Sequence, residues 1–418
     1  MLPKVLYTSV VSAAVPLALV KGVWNSSWRS SLPERFAFWN NKDIEPGNVW
    51  FHGASVGEVA GLDPLVKAWK KAHPDKPCFL TTTSTTGKSE VKRRVLSKEN
   101  KLLPFDHPWF VSRALRKIKP AALVISETEI WPSLLFAMQK NGVPVILING
   151  RMTERSYFKY KAIKFLLEPC LEVFTKMLFQ TKDDKERFIK LGADSGICKV
   201  VGSTKYDTGL VVLDERTRSA KAMSYGLNSN KPIFVAGSVR PGEDEVLIQS
   251  YCELLGDFPD LQFVIAPRHP ERFASVEGLL KSYSLMYTKR SDRVSQSKVL
   301  LVDSIGELRD IYSVADVAFV GGTLVPIGGH NPYEPVMSGV PVVVGPHTKN
   351  VKDAVAQLKS KGAHLEVSKK QELVNTVSSL LADTSYRDKI SKAAVEAYLL
   401  NAGATAKTLK EIEEALNV

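Results

Sequence analysis

The chain is poor in cysteine and has none of the common cofactor signatures. Its four cysteines in 418 residues, Cys78, Cys170, Cys198 and Cys252, are scattered. There is no CxxC pair and no metal-ligand spacing, which fits a reducing compartment and thiols used as small buried hydrophobes. Neither GxGxxG nor a Walker A loop occurs, which argues against dehydrogenases and P-loop NTPases. No solenoid-length repeat and no low-complexity tract is found. A basic excess is present, +12 from 56 Lys and Arg against 44 Asp and Glu, with a pI of about 9.3. No nucleic-acid-binding motif or aromatic-rich basic tract accompanies it. The charge therefore points to an anionic substrate or an anionic membrane, and no nucleic-acid partner is expected.

An uncharged run long enough to cross a bilayer comfortably, ~20 residues, is also missing. The nearest approach is "VLYTSVVSAAVPLALV" between Lys4 and Lys21, interrupted by Pro16. Four readings remain open: a signal-peptide core, a short membrane anchor, a segment dipping into one leaflet, or a first helix packed in the core. The aromatic and basic residues that follow favour the leaflet reading, with Trp24, Trp28, Trp39, Arg29 and Arg35 at headgroup level. The basic residues lie after the run, which places the association on the cytoplasmic side.

The length exceeds one comfortable hydrophobic core, so two domains are expected. Apolar runs such as "NVWFHGAS", "PCFLTTTS", "AALVIS" and "VPVILING" alternate with amphipathic segments. The pattern resumes with "PIFVAGS", "LQFVIAP", "KVLLVD", "VADVAFVGG" and "GVPVVVGP". Uninterrupted Val/Ile/Leu strands between helices indicate an α/β chain with parallel sheets covered on both faces. The expected plan is a membrane-associated segment (1–40), a doubly wound domain (41–208), a polar linker (209–230) and a second doubly wound domain (231–418). The two domains are expected to face each other across a cleft, with the last helix returning to the first domain.

In such domains ligands gather where strands turn into helices. Glu58 follows the first strand at a helix start, where the backbone N–H groups would hold it ionised as a base; the alternative is a purely electrostatic helix cap. Glu127 and Glu129 close "ISETEIWP" as a pair that either shares hydrogen bonds or perturbs its own ionisation. Lys205 lies just beyond a strand. In the second half, Ser238 and Arg240 offer a hydroxyl and a guanidinium to a phosphate or carboxylate. Pro267, Arg268 and His269 follow the next strand, and Ile305, Gly306 and Glu307 open a helix. The glycine-rich turn "VGGTLVPIGGHNPYEP" brings Gly329, His330, Asn331, Pro332, Tyr333 and Glu334. A carboxylate there suits a ribose diol, with Asn331 and backbone N–H groups toward phosphate.

"GASVGE", "SETEIWP", "GSTKYD", "PRHPERF", "DSIGEL", "ADVAFVGG" and "GGHNPYEP", in this order from residue 53 to residue 335, together resemble 3-deoxy-D-manno-octulosonic acid (Kdo) transferases of lipopolysaccharide inner-core synthesis. The resemblance implies the GT-B fold, CMP-Kdo as donor, a lipid A precursor (lipid IVA) as acceptor, and the cytoplasmic face of the inner membrane. It implies Glu58 as general base, Glu127 and Lys205 as transition-state stabilisers, and Glu129 as their neighbour. Pro267, Arg268, the "IGEL" helix start and Asn331 to Glu334 fall in segments that bind CMP. Tyr333 departs from the aliphatic residue expected in "NPLEP". A stable phosphate leaving group implies direct displacement with inversion, without metal or cofactor. Two rivals share the plan: a GT-B-like UDP-sugar 2-epimerase, and a nucleotide-binding membrane scaffold without catalysis.

Overall fold

In the computed structural model the described residues are 7–13, 15–16, 20, 24–40, 44–97, 99–207, 209–292, 297–400 and 402–418. They fall into two compact units, Met1–Thr208 with Asn401–Val418, and Gly209–Leu400. Each is built on one seven-stranded, wholly parallel sheet.

The first sheet comprises β1 (Val49–His52), β2 (Cys78–Thr82), β3 (Asn100–Leu102), β4 (Ala122–Ser126), β5 (Val145–Gly150), β6 (Lys176–Phe179) and β7 (Cys198–Val200), in the order β3-β2-β1-β4-β5-β6-β7. Alternate residues feed two cores. Trp50, Phe79, Leu123, Ile125 and Leu147 pack on one face, and Phe51, Leu80, Val124, Ile146 and Ile148 on the other. Burial on both faces is why these strands read as continuous apolar runs. Trp50 is wholly buried, and truncating such a residue to alanine costs about 3–5 kcal/mol. The final helix, Ala404–Leu416, belongs to this unit. Its Ile412 joins the second core, and Glu411 pairs with Lys176 at 3.0 Å and Lys199 at 2.5 Å.

The second sheet comprises β8 (Ile233–Val239), β9 (Gln262–Pro267), β10 (Tyr287–Lys289), β11 (Val299–Leu301), β12 (Val317–Val320), β13 (Val342–Val344) and β14 (Leu365–Glu366), in the order β10-β11-β9-β8-β12-β13-β14. The two edge strands, β10 and β14, are the ones the apolar pattern does not announce. "YTK" and "LE" are too short and too polar for a run to register. Part of the polar stretch 209–230, expected as a linker, is a helix (Glu215–Ser224). Arg218 ties it to this unit through the Val314 carbonyl at 3.0 Å and Asp316 at 3.1 Å.

The N-terminal expectation needs correction. Of the uncharged run, residues 5, 6, 14 and 17–19 lie outside the described residues. Trp24 is 87% exposed, as headgroup contact requires, but Arg35 and Trp39 are buried. Arg35 donates to the Thr83 carbonyl at 2.8 Å, and the Trp39 indole donates to the Glu34 carbonyl at 2.8 Å. Both therefore serve the interior. No helix among the described residues is long and apolar enough to cross a membrane.

Candidate active site

In both sheets the chain order reverses at the first strand, between β1 and β4 and between β8 and β12. The crevice beyond such a switch point is where open α/β sheets take ligands. Glu58 follows β1, Glu127 and Glu129 follow β4, Ser238 and Arg240 follow β8, and the glycine-rich turn follows β12.

Glu58 stands in the first turn of the helix Val56–Ala72, capped by Ser55. The S-x-x-E spacing forms a reciprocal cap. Ser55 Oγ donates to Glu58 Oε1 at 2.9 Å, and the Ala54 N–H donates to Oε2 at 2.7 Å. Gly53 allows this closure, since a Cβ there would lie 2.9 Å from Leu62 Cδ1 and 3.3 Å from Glu58 Cβ. The expectation that the helix end keeps Glu58 readily ionised is corrected. Burial pushes its carboxyl above the ordinary range, the Ala54 N–H opposes this, and the charge of Glu127 adds to it. Such a group, once deprotonated, is the stronger proton acceptor.

Glu127 adopts a left-handed backbone, φ +60, held by its N–H on the Ile148 carbonyl at 2.8 Å. That conformation costs about 1 kcal/mol or more in a non-glycine residue, and such strain concentrates at functional sites. Glu129 is pushed up to about 7, first by burial and then by Glu58, with Glu127 adding to it. The Trp131 indole opposes this, although its buried N–H has no partner of hydrogen-bonding geometry among the described residues. The charge of Glu127 thus bears on both Glu58 and Glu129, and that of Glu58 on Glu129.

Lys205 is exposed, on a one-turn helix, Thr204–Tyr206. Its neighbour Thr204 is buried and fixed by Asn149: Thr204 N–H reaches Asn149 Oδ1 at 2.9 Å, and Asn149 Nδ2 reaches Thr204 Oγ1 at 2.8 Å. Thr204 Oγ1 also donates to the Gly61 carbonyl at 2.5 Å. A Cβ on Gly61 would lie 3.8 Å from Lys205 Cβ. Gly61 is three residues beyond Glu58, so the lysine stem packs on that helix one turn beyond the base.

The second unit presents the opposite charge. Ser238 takes φ +54 where the register of β8 against β9 shifts. Arg240 donates from Nε to His330 Nε2 at 3.2 Å and from Nη1 to His269 Nε2. The His330 ring is held neutral, down to about 4, by burial and then by Arg268, Arg240 and His269. A guanidinium only donates, so Nε2 of His330 accepts and Nδ1 carries the proton. Gly329, φ +85, closes the turn with its N–H on the Gly322 carbonyl at 2.7 Å.

Other expected residues are committed elsewhere. Glu307 is held by Ser304 at 2.7 Å and Arg290 at 2.8 Å. Burial raises its carboxyl, but these partners outweigh that and leave it below the usual range. Ile305 is 74% exposed, and Gly306 takes φ +95. Asn331 Oδ1 accepts the Tyr333 N–H at 3.1 Å, a local turn just ahead of a short helix. Tyr333 is corrected as a ligand contact: its ring is fully buried against Tyr398, and its hydroxyl bonds Gln357 at 2.5 Å. An aliphatic residue and a tyrosine thus differ there in packing. Pro267 ends β9, Pro332 is buried, and Glu334 is half-buried at the helix start.

One residue escaped sequence reasoning. Glu243 is wholly buried, and its carboxylate accepts N–H bonds from Arg240, Gly322, Thr323 and Leu324 at 2.7–2.9 Å. It shapes the loop after β12 from the loop after β8. Only the unusual density of glycine in that loop hinted that something must approach its backbone closely: a Cβ on Gly321 would lie 2.8 Å from Glu243 Oε2.

Comparison with known proteins bears on these sites. Residues 30–208 match the family model described as 3-Deoxy-D-manno-octulosonic-acid transferase (kdotransferase), and residues 245–397 match Glycosyl transferases group 1. A 3-deoxy-D-manno-octulosonic acid transferase of Haemophilus influenzae is 33% identical over 413 residues, covering 96% of each chain. The chain belongs to the 3-deoxy-D-manno-octulosonic acid transferase family. The Bordetella pertussis transferase is 32% identical over 404 residues, covering 93% of this chain and 92% of that one. As a member of this family the chain is a glycosyltransferase, which sets aside the non-catalytic scaffold. Among solved structures, a glycosyltransferase from Rickettsia africae and a UDP-GlcNAc 2-epimerase from Neisseria meningitidis each give a TM-score of 0.61 at 14% identity. They cover 89% and 88% of this chain, and 99% and 100% of their own. They share the GT-B fold of two Rossmann-like units, and at that identity the likeness does not favour epimerase chemistry.

Proposed function

We propose that this Kdo transferase family member moves Kdo from CMP-Kdo to a lipid A precursor (lipid IVA), with inversion at the anomeric carbon and release of CMP. The observation that carries the reading is Glu58, a carboxylate raised by burial, fixed by the Ala54 N–H and close enough to Glu127 and Glu129 for charge to couple them, with the stem of Lys205 one turn along its helix. Glu58 takes the proton from the acceptor hydroxyl as that oxygen attacks. Lys205 offsets developing negative charge, and Glu127 stabilises the transition state beside it. The leaving phosphate is already a stable anion, so neither general-acid help nor a cofactor is needed. Arg240 and Arg268 suit the phosphate and carboxylate of the donor, Ser238 and the Gly329–Asn331 backbone supply further donors, and Glu334 suits the ribose.

We place the enzyme at the cytoplasmic face of the inner membrane. Exposed Trp24, Phe38 and Trp109 support this, with Arg113 stacked 4.1 Å from the Phe38 ring and 5.8 Å from that of Trp109. Aromatic rings beside cations suit an anionic headgroup layer. CMP release from CMP-Kdo, with and without tetraacylated lipid A precursor, tests the reaction. Acceptor-dependent release by the wild type and its loss in Glu58→Ala are expected. Conversion of a UDP-sugar without acceptor would instead establish the epimerase.

A further inference from the structure

The base is held by the N–H of a residue whose own carbonyl is held in turn. The Ala54 N–H holds Glu58, and the Ala54 carbonyl accepts three donors from one turn: the N–H of Thr83 at 3.2 Å, the N–H of Ser84 at 3.1 Å and Ser84 Oγ at 3.0 Å. Ser84 also caps the helix Thr85–Arg93 by accepting the Gly87 N–H at 3.1 Å, so this turn is anchored on its far side. The Ser84 carbonyl accepts Thr82 Oγ1 and the Lys88 N–H, each at 3.0 Å, and the Thr83 carbonyl accepts Arg35 Nη2 at 2.8 Å.

Arg35 is an unusual residue to find there. It sits in the N-terminal helix Ser26–Arg35 and is only 8% exposed. Its Nε donates to Ser31 Oγ at 3.2 Å, and its guanidinium lies 4.6 Å from the Trp28 ring and 5.8 Å from that of Phe105. Among the described residues no carboxylate forms an ion pair with it, and neighbouring Glu34 is engaged by Lys88 and the Leu102 N–H. A buried cation directed at a backbone carbonyl rather than a carboxylate is expensive to keep for packing alone.

We propose that Arg35 is a positioning residue for the base, acting through the Thr83 carbonyl and the backbone on both sides of the Ala54 Cα to fix the Glu58 carboxylate. The proposal rests on the reading of Glu58 as base. It makes the N-terminal helix, flanked by exposed Trp24 and Phe38, a structural part of catalysis as well.

The charged groups that act on Glu58 are Glu127 and Glu129, both of like sign, with Lys205 along its helix face. The intact Ala54 N–H bond lowers the Glu58 pKa, and loosening the Thr83–Ser84 turn weakens that bond. The pKa then rises, and the acid limb of the rate profile moves to higher pH.

The test uses the full-length enzyme with CMP-Kdo and tetraacylated lipid A precursor, and compares Glu58→Gln, Arg35→Met, Arg35→Lys, Ser84→Ala and Asn25→Ala. Asn25 caps the same helix through the Trp28 N–H at 2.8 Å and does not touch Thr83, so it reports a purely structural loss. Arg35→Met and Ser84→Ala are expected to lower kcat roughly 10-fold to 100-fold, as slight misplacement of a reacting group does. They should shift the acid limb upward and leave KM for CMP-Kdo unchanged, and Arg35→Lys should restore part of both. Asn25→Ala should lower the melting temperature and leave the limb in place. Should Arg35→Met not fold, Ser84→Ala carries the same test. An unmoved limb in the relay variants, with Glu58→Gln inactive, would overturn the relay alone. An equal shift in Asn25→Ala would also overturn it. An active Glu58→Gln would instead remove the reading of Glu58 beneath it.

Discussion

The two units place opposite chemistry at the same topological position. After β1 and β4 the first unit gathers Glu58, Glu127 and Glu129; after β8, β9 and β12 the second gathers Arg240, Arg268, His269 and His330. Burial acts on both with opposite sign. It raises Glu58 and takes Glu129 up to about 7, and it takes His330 down to about 4. Like-charged neighbours reinforce each shift. Thus a crevice created by strand order alone becomes proton-accepting or anion-binding according to which charges crowd it. The division matches a reaction in which one substrate must lose a proton and the other leaves as an anion.

The most damaging change to this division is expected at the base. Glu58→Gln should lower kcat by about 10²–10⁴, the usual contribution of a general base, with KM for CMP-Kdo little altered. Steady-state kinetics with both substrates varied would check it. Arg240→Ala should do the converse. Losing a charge-assisted bond of about 1.5–3 kcal/mol raises KM for CMP-Kdo roughly 10-fold to 100-fold and leaves the acid limb where it is. If either variant changed both parameters equally, the division of labour would break down.

Glu243 tests how the cationic side is built. Glu243→Ala leaves four buried N–H groups without their acceptor, so a loss of about 2–4 kcal/mol in denaturant unfolding is expected, together with weaker CMP binding by calorimetry. Glu127→Gln sharpens the acidic side. Removing that charge lowers the Glu58 pKa, so the acid limb of kcat/KM should move to lower pH.

The smallest effects concern stability, and they oppose each other. Glu129 keeps its proton to about pH 7 when folded and to about its ordinary 4.5 when unfolded, so its contribution is lost as pH rises through that window. Glu129→Gln should therefore raise the melting temperature at pH 8 more than at pH 4.5. His330 runs the other way. The unfolded ring gains its proton near 6.5 and the folded ring near 4, so stability falls as pH falls between them. His330→Gln should raise the melting temperature at pH 5 more than at pH 8. Calorimetric scans across pH would detect both.

Central strands were legible because parallel strands buried on two faces must be continuously apolar, as "ALVIS" and "VILING" are. Strands β10 and β14 were not, because "YTK" and "LE" are short, polar edge strands in which no apolar run registers. Acidic and basic residues at strand ends were legible for a similar reason, since polar groups beside a buried sheet have few other uses. Residues whose role depends on distant partners were not. Glu243 looks like an ordinary helix-start glutamate until the loop 79 residues later folds onto it. Arg35 and Trp39 sit in an aromatic, basic segment that reads as membrane-facing, and only the Thr83 and Glu34 carbonyls show where they point. Tyr333 lies inside a binding motif but turns into the core.

The central claim is that Glu58 activates the acceptor for attack on Kdo. It is tested most directly by incubating tetraacylated lipid A precursor with CMP-Kdo and enzyme, then weighing the lipid by mass spectrometry. The wild type should add Kdo to the lipid, and Glu58→Gln should add none while still binding CMP-Kdo. An unmodified lipid after incubation with folded wild type, or a Kdo-bearing lipid made by Glu58→Gln, would contradict it.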